Sequence, residues 1–216
     1  MRKPVLALLS LAAGLLAFGT ELTDLGQGLA YLRVHSVAAN EAALRKATPS
    51  AGPLVLDLRY ATADDAAAGI LRSALAERPS GTLLLILVSP STPPALGPVI
   101  ASVPALTLGA PGSTPAPKVV VQTDAAADRR AFDALDTGTE LAKLISGRIE
   151  KERFDEATLV QEFKDGVHDP EPPPPVNPTA PKADAPAKDA PPADPIDRVL
   201  QRAVHLHRAL LAIKLR

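Results

Sequence analysis

The sequence predicts an α/β domain, and three observations carry that prediction. Short apolar runs with strand character, at residues 29–35, 54–58 and 83–88, recur between segments of helical period. The run Leu-Leu-Leu-Ile-Leu-Val at 83–88 has the composition of a central strand covered on both faces. Acidic residues and prolines bracket the intervening segments where helices start and stop. Strands alternating with helices build repeated β-β-α or β-α-β units around a layered sheet.

Taken in order, residues 29–35 form a strand and 38–47 a helix, with Asn40 near its start. Residues 54–58 form a buried strand after Pro53, and a helix follows over 64–77. Asp64 and Asp65 sit at the positive end of that helix, and Arg78-Pro79 closes it. After the central strand and a proline-rich turn come a short helix at 96–103 and strands at 105–108 and 118–122. Beyond Gln122 the sheet signal fades, leaving peripheral helices at 140–145 and 156–163. In the last segment, 196–216, Asp194 or Asp197 caps a helix with Ile196, Val199, Leu200, Ala203, Leu210 and Leu211 on one stripe. Arg198, Arg202 and Arg208 face water, and the stripe packs on the core or on a second subunit.

The N-terminal segment has the layout of a secretory signal: Arg2 and Lys3, an apolar run over 5–18, then polar residues. The run is shorter than the roughly 20 residues a spanning helix needs. Small residues at Ala17 and Gly19 suit cleavage after Gly19, and retention as an uncleaved anchor is the alternative. The expected location is periplasmic or extracellular. Residues 21–168 then form one domain, 169–195 a Pro/Ala-rich spacer too poor in large apolar side chains to bury, and 196–216 the terminal helix.

A net charge of -1 over 216 residues gives the whole chain no electrostatic pull toward nucleic acid or anionic membrane. The absence of cysteine removes disulfides, thiol catalysis and lipoprotein anchoring.

Several strings fall in the order of a known catalytic domain. Leu29-Ala-Tyr-Leu-Arg-Val opens it, Pro53-Leu-Val-Leu-Asp-Leu-Arg59 follows, and Leu85-Ile-Leu-Val88 leads into a turn. Leu108-Gly109 precedes Lys118-Val-Val-Val-Gln122, and Gly166-Val167 with Asp169 and Asp194-Pro195 complete the series. In this order they resemble the tail-specific (C-terminal-processing) serine peptidases. The resemblance implies a crotonase-like core, here without the peptide-binding PDZ insertion. It also implies a serine on the turn after the Leu85–Val88 string, with Lys118 as the base that takes its proton. Asp57, Arg59 and Gln122 are the family-like residues expected to contribute to binding.

The departures fall on the chemistry. Counting from Val88 puts Pro94 at the nucleophile, and proline brings neither a hydroxyl nor an N–H for an oxyanion. The glycines expected after Arg59 are replaced by Tyr60-Ala-Thr-Ala-Asp64, and Pro117 and Val119 replace those flanking Lys118. The expectation is an exported, catalytically inactive relative that binds an extended peptide or protein, with no cofactor. A strand edge left open along 54–58 or 83–88 would receive the peptide. The partner is a peptide, a peptidase relative or a second copy of the chain.

Two alternatives stand beside it. One is a divergent hydrolase in which Ser89, Ser91 or Thr92 works with Lys118, against which the Pro93-Pro94 pair is expected to stiffen the turn away from helix-start geometry. The other is a structural envelope protein. Elsewhere, His205 and His207 stand about 200° apart on a helix and cannot share a metal, so surface positions are expected for both. His35 and His168 are isolated, and Asp64-Asp65 and Asp124 with Asp128 are explained by helix-start and loop roles.

Overall fold

Parallel pairing of short apolar strands organises the first part of the chain. The computed structural model describes residues 22–146 and 195–214. The signal-like segment, the helix expected at 156–163, His168, Asp169, Asp194 and nearly all of the Pro/Ala-rich spacer lie outside the described residues. The chain divides into two compact units, one running to Val120 and one beginning at Val121.

The first unit is mixed α/β. Its six-stranded sheet follows chain order: β1 (Thr23–Asp24), β2 (Ala30–Arg33), β3 (Leu54–Asp57), β4 (Leu84–Val88), β5 (Leu106–Gly109) and β6 (Val119–Val120). β1 runs antiparallel to β2, and every later pair is parallel. The linking helices are α1 (Glu41–Ala47), α2 (Asp65–Ala76) and a 3-10 turn (Pro94–Leu96) that continues into α3 (Gly97–Ser102).

A parallel sheet in which each strand is laid beside the last, always in the same direction, takes right-handed crossovers that deliver every helix to one face. The core has that composition. Leu54, Leu56 and Leu58 alternate with Leu84, Ile86 and Val88 under Leu44 of α1, Leu71 of α2 and Ile100 of α3. The opposite-facing positions Val55, Asp57, Leu85 and Leu87 are buried as well, as the near-continuous hydrophobicity of these strands requires.

Local chemistry sets the element ends. The Asp64 carboxylate accepts from the Ala67 N–H at 2.8 Å, capping α2. Asn40 precedes α1, but its side chain accepts from the backbone N–H groups of His35 and Ser36, at 3.2 Å each, tying the exit of β2 to the helix start. At the other end of the sheet Arg78 grips four carbonyls: Thr48 and Ser50 through Nη1, Gly52 and Leu83 through Nη2. Burial lowers the pKa of its guanidinium from the ordinary value. The strand expected at 118–122 is only two residues long, because the Lys118 N–H bonds the Thr107 hydroxyl at 2.9 Å instead of a ladder carbonyl.

The second unit contains α4 (Ala125–Ala134), α5 (Leu141–Ser146) and α6 (Arg198–Lys214). α4 was not expected; Asp124 caps it by accepting from the Ala127 N–H at 2.8 Å, and its alanine-rich start favours helix. Asp197 caps α6 through the Leu200 N–H, and its own N–H bonds the Leu144 carbonyl of α5. Gln201 Nε2 donates to the Ile145 carbonyl.

Two expectations about α6 are corrected. Val199, Leu200 and Ala203 are buried, but Ile196 and Leu210 are exposed, and Val204 and His207 take the inner positions instead. His207 therefore leaves the surface: at 100° per residue it lies between Leu200 and Ala203, on the packed face.

Gly109 pairs with Val88, and a Cβ there would overlap the Val88 carbonyl and meet Ser113 Oγ at 2.9 Å. Because the obstacle is backbone, the strands must part. Gly109→Ala is expected to cost about 2–4 kcal/mol in urea unfolding, against under about 1 kcal/mol at half-buried Gly97, where a Cβ meets nothing.

Candidate functional site

Ligands of open parallel sheets bind beyond the carboxyl ends of the strands, and of the residues singled out in the sequence Asp57, Arg59, Ser91 and Pro94 sit there. Asp57 ends β3, and its side chain points away from the face that carries Leu56 and Leu58. Arg59 follows two residues on. Its Nη2 reaches Asp57 Oδ2 at 2.7 Å and its Nε reaches Oδ1 at 3.0 Å, the forked geometry of a strong pair. The Arg59 backbone N–H also donates to Oδ1, and the Tyr31 hydroxyl donates to Oδ2 at 3.0 Å. Both charged side chains are fully buried. The two residues expected to bind a ligand are thus turned on each other: they shape the strand exit and offer no surface.

The turn after β4 is fastened to that exit. Ser89 Oγ donates to the Arg59 carbonyl and accepts from the Ser91 N–H. Thr92 Oγ1 accepts from the Ser89 N–H at 2.8 Å and lies 3.3 Å from the Leu58 carbonyl. Ser89 and Thr92 are buried with their hydroxyls engaged, whereas Ser91 is exposed. Pro94 is exposed too, as the first residue of the 3-10 turn, with Pro93 before it at φ -56 and ψ 132. The expectation that this pair stiffens the chain away from a helix start is therefore corrected. A fixed φ near −65° and a missing N–H suit the first position of a helical turn, where that N–H has no partner to lose.

The backbone of Lys118 is level with Thr107 and Ile86, midway along β4, and its side chain runs toward the amino ends of the strands. It is exposed, and its Nζ donates to the Ala105 carbonyl at 2.7 Å. Leu106 is level with Leu85, so Ala105 is level with Leu84, at the entry of β4. Thr92 is fastened at the level of Leu58 and Ser89 lies one residue past Val88. At about 3.3 Å per residue the amine and the hydroxyls stand on the order of 13–16 Å apart along the strands. Gln122 is exposed in the second unit, beyond the end of β6.

The Tyr31 hydroxyl was missed by sequence reasoning. Its role depends on the β2–β3 register, which places Tyr31 beside Val55, two residues before Asp57 and on the same face, and nothing local signals it. Among the described residues no group of three or more His, Cys, Asp or Glu is placed to hold a metal ion. No described helix is long and apolar enough to cross a membrane. The chain matches no protein-family model, no curated protein and no solved structure.

The arrangement can hold a strand exit rigid, but it does not bring an amine to a hydroxyl. Asp57→Ala strands a buried guanidinium, and chemical denaturation is expected to show a loss of about 3–5 kcal/mol. Lys118→Met, at an exposed position, is expected to change stability by less than about 1 kcal/mol.

Proposed function

We propose that this protein is a non-catalytic relative of the tail-specific peptidases, with a crotonase-like core, that works by binding an extended peptide. The observation that carries the reading is the separation of Lys118 from the β4 turn. The proposed base is spent on the Ala105 carbonyl at the amino ends of the strands, while Pro94 at the carboxyl ends has nothing to attack with. General-base activation needs hydroxyl and amine within about 3 Å. Two of the three nearby hydroxyls, Ser89 and Thr92, are also consumed within the turn. The runs β1–β2–α1 and β5–β6–α4 keep the strand-strand-helix order of such a core, with β-α-β repeats between them.

The place of binding differs from the one expected. β3 and β4 are each paired on both sides, so neither offers an edge. The sheet ends at β1 and β6. β6 suits strand addition better: it presents β-branched Val119 and Val120, the latter 53% exposed, whereas the Asp24 carboxylate of β1 is used in its own turn.

Purified protein is expected to give no labelling by a fluorophosphonate probe and no cleavage of unfolded casein; labelling that disappears in Ser91→Ala would restore the hydrolase. With a library of extended peptides, amide exchange is expected to slow at residues 119–120 and to stay unchanged in β3 and β4. Val120→Lys is expected to weaken binding at least fivefold, and undiminished binding by that variant removes β6 as the site.

A further inference from the structure

We propose that the distal turns of α6 dock on an anionic lipid surface. This helix is packed along only part of its length. Val199, Leu200, Ala203 and Val204 are at most 3% exposed, and His207 closes the packed stretch. From Arg208 onward the inner face is lost: Arg208, Ala209, Leu210, Ala212 and Ile213 are exposed and Leu211 is half-buried. Ile213 is 70% exposed, the highest value among the large apolar side chains of the described residues. Leu210 and Ile213 are three residues apart and stand about 60° apart around the axis, one apolar face of the kind an interfacial helix lays on a bilayer.

Charge chooses the occupant. α6 carries Arg198, Arg202, Arg208 and Lys214 and not one acidic residue. The chain's net charge of -1 averages over this segregation. A purely acidic protein partner would use the arginines and leave Leu210 and Ile213 in water. An anionic bilayer uses both: the leucine and isoleucine enter the headgroup boundary while the long basic stems keep their charges at the phosphates.

The test is flotation of the full chain with vesicles of phosphatidylcholine alone or with one-third phosphatidylglycerol. Binding is expected only with the anionic lipid, falling at least tenfold for Leu210→Glu/Ile213→Glu and severalfold for Arg208→Glu or at 0.5 M salt. Leu22→Glu, a charge placed at an exposed apolar residue of the other unit, is expected to leave binding unchanged. Equal flotation of Leu210→Glu/Ile213→Glu and the parent chain overturns the proposal, because the apolar segment at 5–18 would then be the anchor. So does the absence of anionic-lipid binding, or a dimer in sedimentation equilibrium that the double substitution converts to monomer.

Discussion

The parallel register of β3, β4 and β5 is the constraint on which the rest of the structure depends. Once Leu54 is level with Leu84, and Leu85 with Leu106, every loop is assigned to one end of the sheet. Arg78 and Lys118 are drawn to carbonyls at the amino ends of the strands, and the Asp57–Arg59 pair and the serine-rich turn are held at the carboxyl ends. Gly109 maintains the register by letting β5 approach the Val88 carbonyl without a side chain between them. The same register that makes a continuous core under α1, α2 and α3 therefore keeps the lysine from the hydroxyls.

The carboxyl-end network exchanges reactivity for rigidity. A carboxylate that receives a guanidinium fork, a backbone N–H and a phenol depends on that set, because removal of the guanidinium would leave a buried charge without water or counter-ion. Ser89 and Thr92 extend that set across to β4, so the turn after β4 is a brace. Proline at its first helical position completes the brace, since it fixes the backbone and contributes no donor. A brace of this kind fits a protein that presents a surface, which is why binding is proposed in place of chemistry.

Much of the fold was legible because burial leaves a local signature. The six-residue run ending in Val88 suited a central strand covered on both faces, and Asp64 marked its helix start by its acidic side chain. α4 was harder: Ala125 to Ala127 mark a helix by propensity, but their apolar contrast is weak. The short β6 turned on a side-chain bond from Thr107 that no spacing rule contains. His207 was judged only against a metal partner, and its burial follows from which face of α6 packs. At the candidate site, the lack of a hydroxyl and of a backbone N–H at Pro94 was visible in the residue itself. The closure of β3 and β4 to a peptide was not, nor was the reach of Lys118 toward Ala105, because strand order and register are non-local facts.

The most direct test is the distance between the β4 turn and Lys118. The chain contains no cysteine, so Ser91→Cys/Lys118→Cys accepts two nitroxide labels at defined sites without background. Pulsed electron resonance is expected to give a single distribution centred at about 14 Å or beyond, set by a rise of about three strand residues from the level of Lys118, beside Thr107 and Ile86, and by two inter-strand spacings of about 4.8 Å. Strong dipolar broadening from labels closer than about 10 Å would place amine and hydroxyl within a common site and contradict the account.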